Sequence, residues 1–186
     1  LQKKLYFVHT GNRAVNSRQG RIEGAALMEA SDFLKKHIQP GEKYAVLGVG
    51  SVLCSDDAAG MYLIELLSSL IKREDVLLIA GSTAPENFTG VIKRFSPKRL
   101  FIVDAAYMGL SPGESKAVPA CDIDGLSFST HMLPMSVMLE YLQSESGCGV
   151  TFIGIQPGCT EQGLTMCDEV NKGTERLAKA FYDALK

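Results

Sequence analysis

The sequence predicts an α/β domain built on a doubly wound, mainly parallel sheet with helices on both faces. Three observations carry that expectation. Its strongest apolar runs lack the in–out alternation of a sheet with one wet face, so their strands should be covered on both sides. Between the runs lie stretches with apolar residues at helical spacing, the alternation that yields strand–helix–strand units. The first run also turns through glycines directly into a helix, at Gly48-Val49-Gly50. In such folds ligands bind beyond the carboxyl ends of the strands.

Each element follows in order. Residues 44–49 read as the first strand, and a helix over about 57–72 places Met61, Ile64, Leu67 and Ile71 on one side. Residues 76–80 form a second buried strand that ends at Gly81-Ser82. A helix over 85–95 begins with Pro85, a residue suited to the first helical turn. The run 100–103 is a third continuous apolar strand, ending at Asp104, and 113–119 adds a short edge strand. Pro134 opens a helix whose Met135, Met138, Leu139 and Leu142 recur at core-facing spacing, a stripe better explained by packing than by a cofactor. The run 150–155 is the last strong strand, and the C-terminal helix sets Val170, Thr174, Leu177, Ala178, Phe181 and Leu185 on one face. Residues 41–186 are thus one domain. Residues 1–40 read as an N-terminal extension: a polar loop near 11–20, then a helix over 25–38 that buries Leu27, Phe33, Leu34 and Ile38 and stops at Pro40-Gly41. His9 and His37 in this part are expected to be exposed and structurally incidental.

Composition narrows the function. With 186 residues, 46% hydrophobic and 22% charged, the chain is long enough for one sizeable core. Its formal net charge of −2 gives no electrostatic reason to expect nucleic acid or an anionic membrane as partner. The apolar stretches fall far short of the roughly 20 residues that a membrane span needs. The start, Leu1-Gln2-Lys3-Lys4-Leu5, is not followed by the apolar run of a secretory signal. Cys54, Cys121, Cys148, Cys159 and Cys167 form no CxxC pair, which predicts reduced thiols and a cytoplasmic protein. Cys54 lies in the glycine turn, where a nucleophilic role would need His131 nearby; a passive, partly buried thiol is the more ordinary reading.

The turn from Gly48 to Gly60 delivers two adjacent carboxylates, Asp56 and Asp57, to a helix start. That favours a site for a cation or a proton. A dinucleotide fingerprint is the first alternative, but Leu53 stands where its third glycine belongs, and the acids would face the phosphates. The second alternative is a plain helix cap. The strand-end loops after 49, 80, 103 and 155 gather Asp56, Asp57, Asn87, Asp104 and Gln156 at one edge, and His131 lies at another element boundary. Asp57, Asp104 and His131, if convergent, could hold a divalent first-row ion and leave coordination positions open.

Five ordered blocks make that pattern more specific. They are Gly48-Val49-Gly50 through Ser55-Asp56-Asp57 to Gly60, then Gly81-Ser82-Thr83-Ala84-Pro85-Glu86-Asn87, then Ile102-Val103-Asp104-Ala105 through Met108-Gly109-Leu110 to Pro112-Gly113-Glu114, then Ser129-Thr130-His131 with Pro134, and Gly154-Ile155-Gln156-Pro157. From about Lys43 to the C-terminus the chain resembles the hydrogenase maturation endopeptidases, within them the hydrogenase 3 type. The resemblance implies a doubly wound α/β peptidase domain over 41–186. Its expected activity is removal of a C-terminal extension from the large-subunit precursor of a nickel-iron hydrogenase, after nickel has been inserted. It further implies that Asp57, Asp104 and His131 are the catalytic and metal-contacting residues. Nickel would arrive with the precursor and not be retained by the resting enzyme. Asp56 is expected to shape the turn or support Asp57. Ser51 replaces the family's usual Asn, and Ala58 a common Gly; neither change removes a ligand. Two routes to peptide cleavage stay open, metal-activated water and a carboxylate acting as general base. The alternative function is a non-proteolytic accessory subunit or nickel-checking chaperone. A monomer is the default expectation.

Overall fold

The structure is a computed structural model that describes residues 28–118, 123, 127–128, 135–163 and 165–186. Its strands are β1 (Met28–Glu29), β2 (Tyr44–Val49), β3 (Val76–Ser82), β4 (Arg99–Tyr107), β5 (Ser115–Val118), β6 (Ser127–Phe128) and β7 (Gly149–Ile155). The helices are α1 (Ala30–His37), α2 (Ala59–Leu70), α3 (Thr89–Phe95), α4 (Met135–Ser146) and α5 (Asp168–Leu185). The sheet runs β1-β5-β7-β4-β2-β3, with β6 paired to the end of β4. Strands β7, β4, β2 and β3 are mutually parallel, whereas β5 and β1 extend one side antiparallel.

Helices cover both faces, as the unalternating strands required. On one face α1, α2 and α5 pack Leu34, Leu63, Leu67, Leu177 and Phe181 against Tyr44, Val46, Phe101 and Ile153. On the other, α3 and α4 bring Ile92, Leu139 and Leu142 onto Leu47, Leu100, Ile102 and Phe152. The amphipathic reading of α5 holds residue by residue, since Val170, Thr174, Leu177, Ala178, Phe181 and Leu185 are all buried. Strand β1 and helix α1 belong to the same body, because Ala30, Leu34 and Ile38 lie in the core that α2 and α5 share.

Several expectations need correction. The second apolar run, β3, is only partly buried; among the described residues it is an edge strand, with Ile79 buried but Ala80 and Ser82 exposed. The third strand does not end at Asp104 but continues to Tyr107, so Asp104 lies inside β4 opposite Gly154 of β7. Pairing with β7 and β6 sustains β4 beyond the point where β2 has left it. Strand β5 is not an edge, because β1 covers it. Both predicted helices at 57–72 and 85–95 begin with short 3-10 turns, Ser55–Ala58 and Pro85–Phe88, and α2 stops at Leu70. The N-terminal helix is Ala30–His37; Leu27, like His9, Cys121, Pro134 and His131, lies outside the described residues. His37 is half-buried, stacked on the Phe33 ring at 3.8 Å between centroids, with Nδ1 2.9 Å from the Phe33 carbonyl oxygen. No helix among the described residues is long and apolar enough to cross a membrane.

The strand order places the site. The chain steps from β2 through α2 outward to β3, then returns through α3 to β4 on the other side of β2. The winding direction therefore reverses between β2 and β4, opening a crevice at their carboxyl ends. Helix α2 seats at this point by direct backbone contact. A Cβ on Gly48 would lie 2.1 Å from the Gly60 carbonyl oxygen, and one on Gly60 would lie 2.2 Å from that of Val49 and 2.4 Å from that of Val103.

Gly60→Ala should therefore cost about 3 kcal/mol or more, since rigid backbone has to move, although alanine is the better helix former. Gly90→Ala, in α3, meets only the flexible Arg94 side chain at 3.6 Å and should stabilise by up to ~1 kcal/mol. Urea denaturation of the two variants checks both signs.

Candidate active site

The chain leaves β2 at Val49 and reverses at Gly50, whose φ of 125° is costly for any residue with a Cβ. A Cβ there would also lie 1.9 Å from the Asp57 carbonyl oxygen and 3.4 Å from Asp104 Oδ1. Glycine at this position is thus what allows the two acid-bearing segments to close on one backbone. The next residue, Ser51, donates its N–H to Asp57 Oδ2 at 2.6 Å. Asp104 Oδ1 accepts the N–H of Ala105 at 2.8 Å. Both side chains are withdrawn from solvent, Asp57 at 0% exposure and Asp104 at 1%. Two of the three residues singled out in the sequence therefore meet at the Gly50-Ser51 segment, in the crevice between β2 and β4.

Asp56 and Asp57 are adjacent in sequence but serve different neighbours. The Asp56 carboxylate, also at 0% exposure, points to the connection between β7 and α5. Its Oδ2 accepts the N–H of Gly158 at 2.8 Å and of Cys159 at 2.9 Å, and its Oδ1 accepts that of Cys167 at 2.7 Å. The Cys167 thiol donates to Oδ2 at 3.3 Å. A buried carboxylate is tolerable only when its desolvation is offset in this way. Further bonds fasten the same connection to the turn: Gly163 N–H to the Leu53 carbonyl at 2.9 Å, and the Ser55 hydroxyl to the Thr165 carbonyl at 3.1 Å. On the far side the Tyr107 and Thr160 hydroxyls meet at 3.1 Å, and Gln156 Oε1 accepts the N–H groups of Met108 and Leu110 at 2.7 and 3.2 Å. The connection spans the crevice and ties the loops carrying both acids.

These contacts decide between the readings of the acid pair. The residues at the N-caps of the Ser55–Ala58 turn and of α2 are Cys54 and Ala58, and neither makes a side-chain cap. Asp57 bonds backward to Ser51, which occupies an amide that a dinucleotide phosphate would need. Asp56 shapes the turn, as expected. Asn87 stands exposed on the turn after β3, and Cys54 is half-buried. The four described cysteines, Cys54, Cys148, Cys159 and Cys167, are free thiols. Among the described residues no three His, Cys, Asp or Glu side chains are grouped to hold a metal ion. Sequence reasoning missed the amides of Gly158, Cys159 and Cys167. A backbone donor leaves no residue-type signal, and these lie more than 100 positions from Asp56.

The sequence model for the hydrogenase maturation protease HycI matches residues 61–184. The hydrogenase 3 maturation protease of Escherichia coli K12 is 39% identical over 113 residues, which are 60% of this chain and 71% of that one. The crystal structure of HycI, a [NiFe] hydrogenase maturation protease from Thermococcus kodakarensis, superposes with a TM-score of 0.74 at 30% identity, covering 82% of this chain and 98% of that one. The solution structure of the endopeptidase HycI from Escherichia coli gives a TM-score of 0.68 at 32% identity, over 76% and 90% of the two chains.

Burial holds the Cys167 thiol above the ordinary thiol range; a hydrogen bond from the Val170 backbone opposes the shift, and the Asp56 carboxylate reinforces it. A raised folded-state value means that the thiol form is favoured in the fold. Its stabilising contribution is present below the ordinary thiol pKa of about 8.5 and is lost as pH rises through the folded value. Alkylation of Cys167 by iodoacetamide should accordingly stay slow until pH exceeds that range, read by peptide mass spectrometry. Asp56→Ala removes a buried carboxylate that three backbone N–H groups donate to and should cost about 3 kcal/mol in urea denaturation.

Proposed function

This chain belongs to the hydrogenase maturation protease family and is an endopeptidase of hydrogenase maturation, and we propose that it removes the C-terminal extension of a nickel-loaded [NiFe]-hydrogenase large-subunit precursor at the crevice between β2 and β4. One observation carries the proposal: two buried carboxylates, Asp57 and Asp104, converge on the Gly50-Ser51 backbone at the point where the winding of the sheet reverses. Burial strengthens the attraction of such acids for a cation that brings its own remaining ligands.

In this reading nickel belongs to the substrate. Asp57 and Asp104 contact it as the precursor docks, and His131 supplies a third contact. Support for including His131 is covalent. Phe128 of β6 pairs with Ala106, two residues past Asp104, and the three residues from Phe128 to His131 span at most about 11 Å. Two carboxylates alone bind a borderline ion weakly, so a full ligand set forms only with a loaded precursor. Cleavage would thereby be coupled to correct metal insertion. The protein's own part is to hold the acids in fixed geometry: the Ser51 N–H orients Asp57, the Ala105 N–H orients Asp104, and the Asp56-bound connection keeps the turn in place. An acid held this way can also accept a proton from water attacking the peptide carbonyl.

The test is shortening of the precursor, resolved by gel or intact mass, with nickel loading as the variable. The protein should shorten the loaded form and leave the unloaded form intact. Asp57→Asn and Asp104→Asn should each lower kcat/KM by about 100-fold or more while remaining folded. Failure to shorten a verified loaded precursor would overturn the proposal in favour of an accessory or chaperone role.

A further inference from the structure

The two edges of the sheet are finished differently. At one edge, among the described residues, Glu29 of β1 pairs with Lys116 of β5. Charge is a usual means by which an edge is kept from pairing with another chain. At the other edge β3 has seven residues, Val-Leu-Leu-Ile-Ala-Gly-Ser, without a charge or a proline. Among the described residues it pairs on one side only, with β2. Its single irregularity, the extra residue Gly81 where the register shifts between Gly48 and Val49, falls at its carboxyl end and leaves 76–80 regular.

β3 leads into the site. The Ser82 carbonyl accepts the N–H of Gly50 at 3.1 Å, so β3 ends against the backbone on which Asp57 and Asp104 converge. Beside it runs an apolar groove of about 500 Å³ lined by Val52, Ala58, Met61, Tyr62, Glu65 and Ala80. Val52 and Leu53, at 66% and 64% exposure, are the most exposed large apolar side chains described, and they sit at the tip of the acid-bearing turn. Water-exposed apolar residues on a loop of this kind mark a surface that is covered in use.

We propose that the outer edge of β3, with the groove beside it, is the docking track for an extended, apolar segment of the large-subunit precursor adjoining its cleavage point. The segment adds to the sheet as a further strand. Main-chain hydrogen bonds to β3 provide affinity, and alternate side chains enter the groove over Ala80 and Met61. Seven residues of strand span about 23 Å, enough to hold the tail on one line while its end lies at the carboxylates. The inference rests on the precursor being the substrate. It adds where the polypeptide binds, since two acids select a cation but not a protein.

Hydrogen exchange of the full chain, alone and with nickel-loaded precursor, tests the track directly. The amides of 76–82 that do not bond to β2 should exchange freely in the protein alone and become protected by at least tenfold with the precursor. In parallel, Ala80→Lys places a charge on an exposed edge position and should raise KM for the precursor about tenfold, with kcat within twofold of the parent. Cleavage by the parent with no new protection at 76–82 would overturn the track and leave the peptidase reading standing. Full protection without precursor would assign the edge to a second copy or to another part of this chain, and equally overturn it. A parent that does not shorten loaded precursor would remove the peptidase reading and the track together.

Discussion

Gly60 touches two strands at once, and the rest of the site depends on that contact. No side chain separates α2 from the ends of β2 and β4; the helix rests on the carbonyl oxygens of Val49 and Val103. The turn between β2 and α2 consequently has no slack. Thirteen residues from Gly48 to Gly60 must leave the sheet, present two acids and return to it within contact distance. Glycines at both ends make the approach possible, because interiors packed at crystal-like density leave no room for an added methyl group. The close approach, in turn, brings Asp57 to the same short backbone that Asp104 reaches from β4.

Three buried carboxylates crowd this end of the sheet, and each is stabilised by main-chain amides. Asp56 takes three, Asp57 takes Ser51, and Asp104 takes Ala105. Amides supply partial positive charge without the mobility of a lysine or arginine. They hold the acids in a fixed orientation. The two acids of the pair are held by different segments: Asp56 by the connection ahead of α5, Asp57 by the Ser51 N–H.

Much of this was legible in the sequence, because the strands are continuous apolar runs and α5 keeps helical spacing without interruption. The acid turn was legible for a related reason: glycine and aspartate at a strand end each report a specific backbone or charge requirement. Errors fell where partners decide the outcome. The apolar run stops at Asp104, yet β7 and β6 extend the strand to Tyr107 through backbone bonds that are indifferent to residue type. Val76, Leu77 and Leu78 have the composition of a central strand; only the order of the sheet reveals β3 as an edge among the described residues. The clasp on Asp56 was invisible for the same cause, its donors being main-chain groups far along the chain.

That distance has a consequence for how the protein is made. Asp56 is synthesised early, but its partners at Gly158, Cys159 and Cys167 follow 102, 103 and 111 residues later. Contacts of such separation form only after the intervening chain has been ordered, and they are among the slowest to gain. The acid turn therefore remains unclasped on the ribosome until the segment ahead of α5 has emerged. A chain interrupted before that point carries the acids and most of its sheet, yet lacks the donors that hold Asp56. The crevice between β2 and β4 is therefore fastened only once the segment from Gly158 to Cys167 is in place.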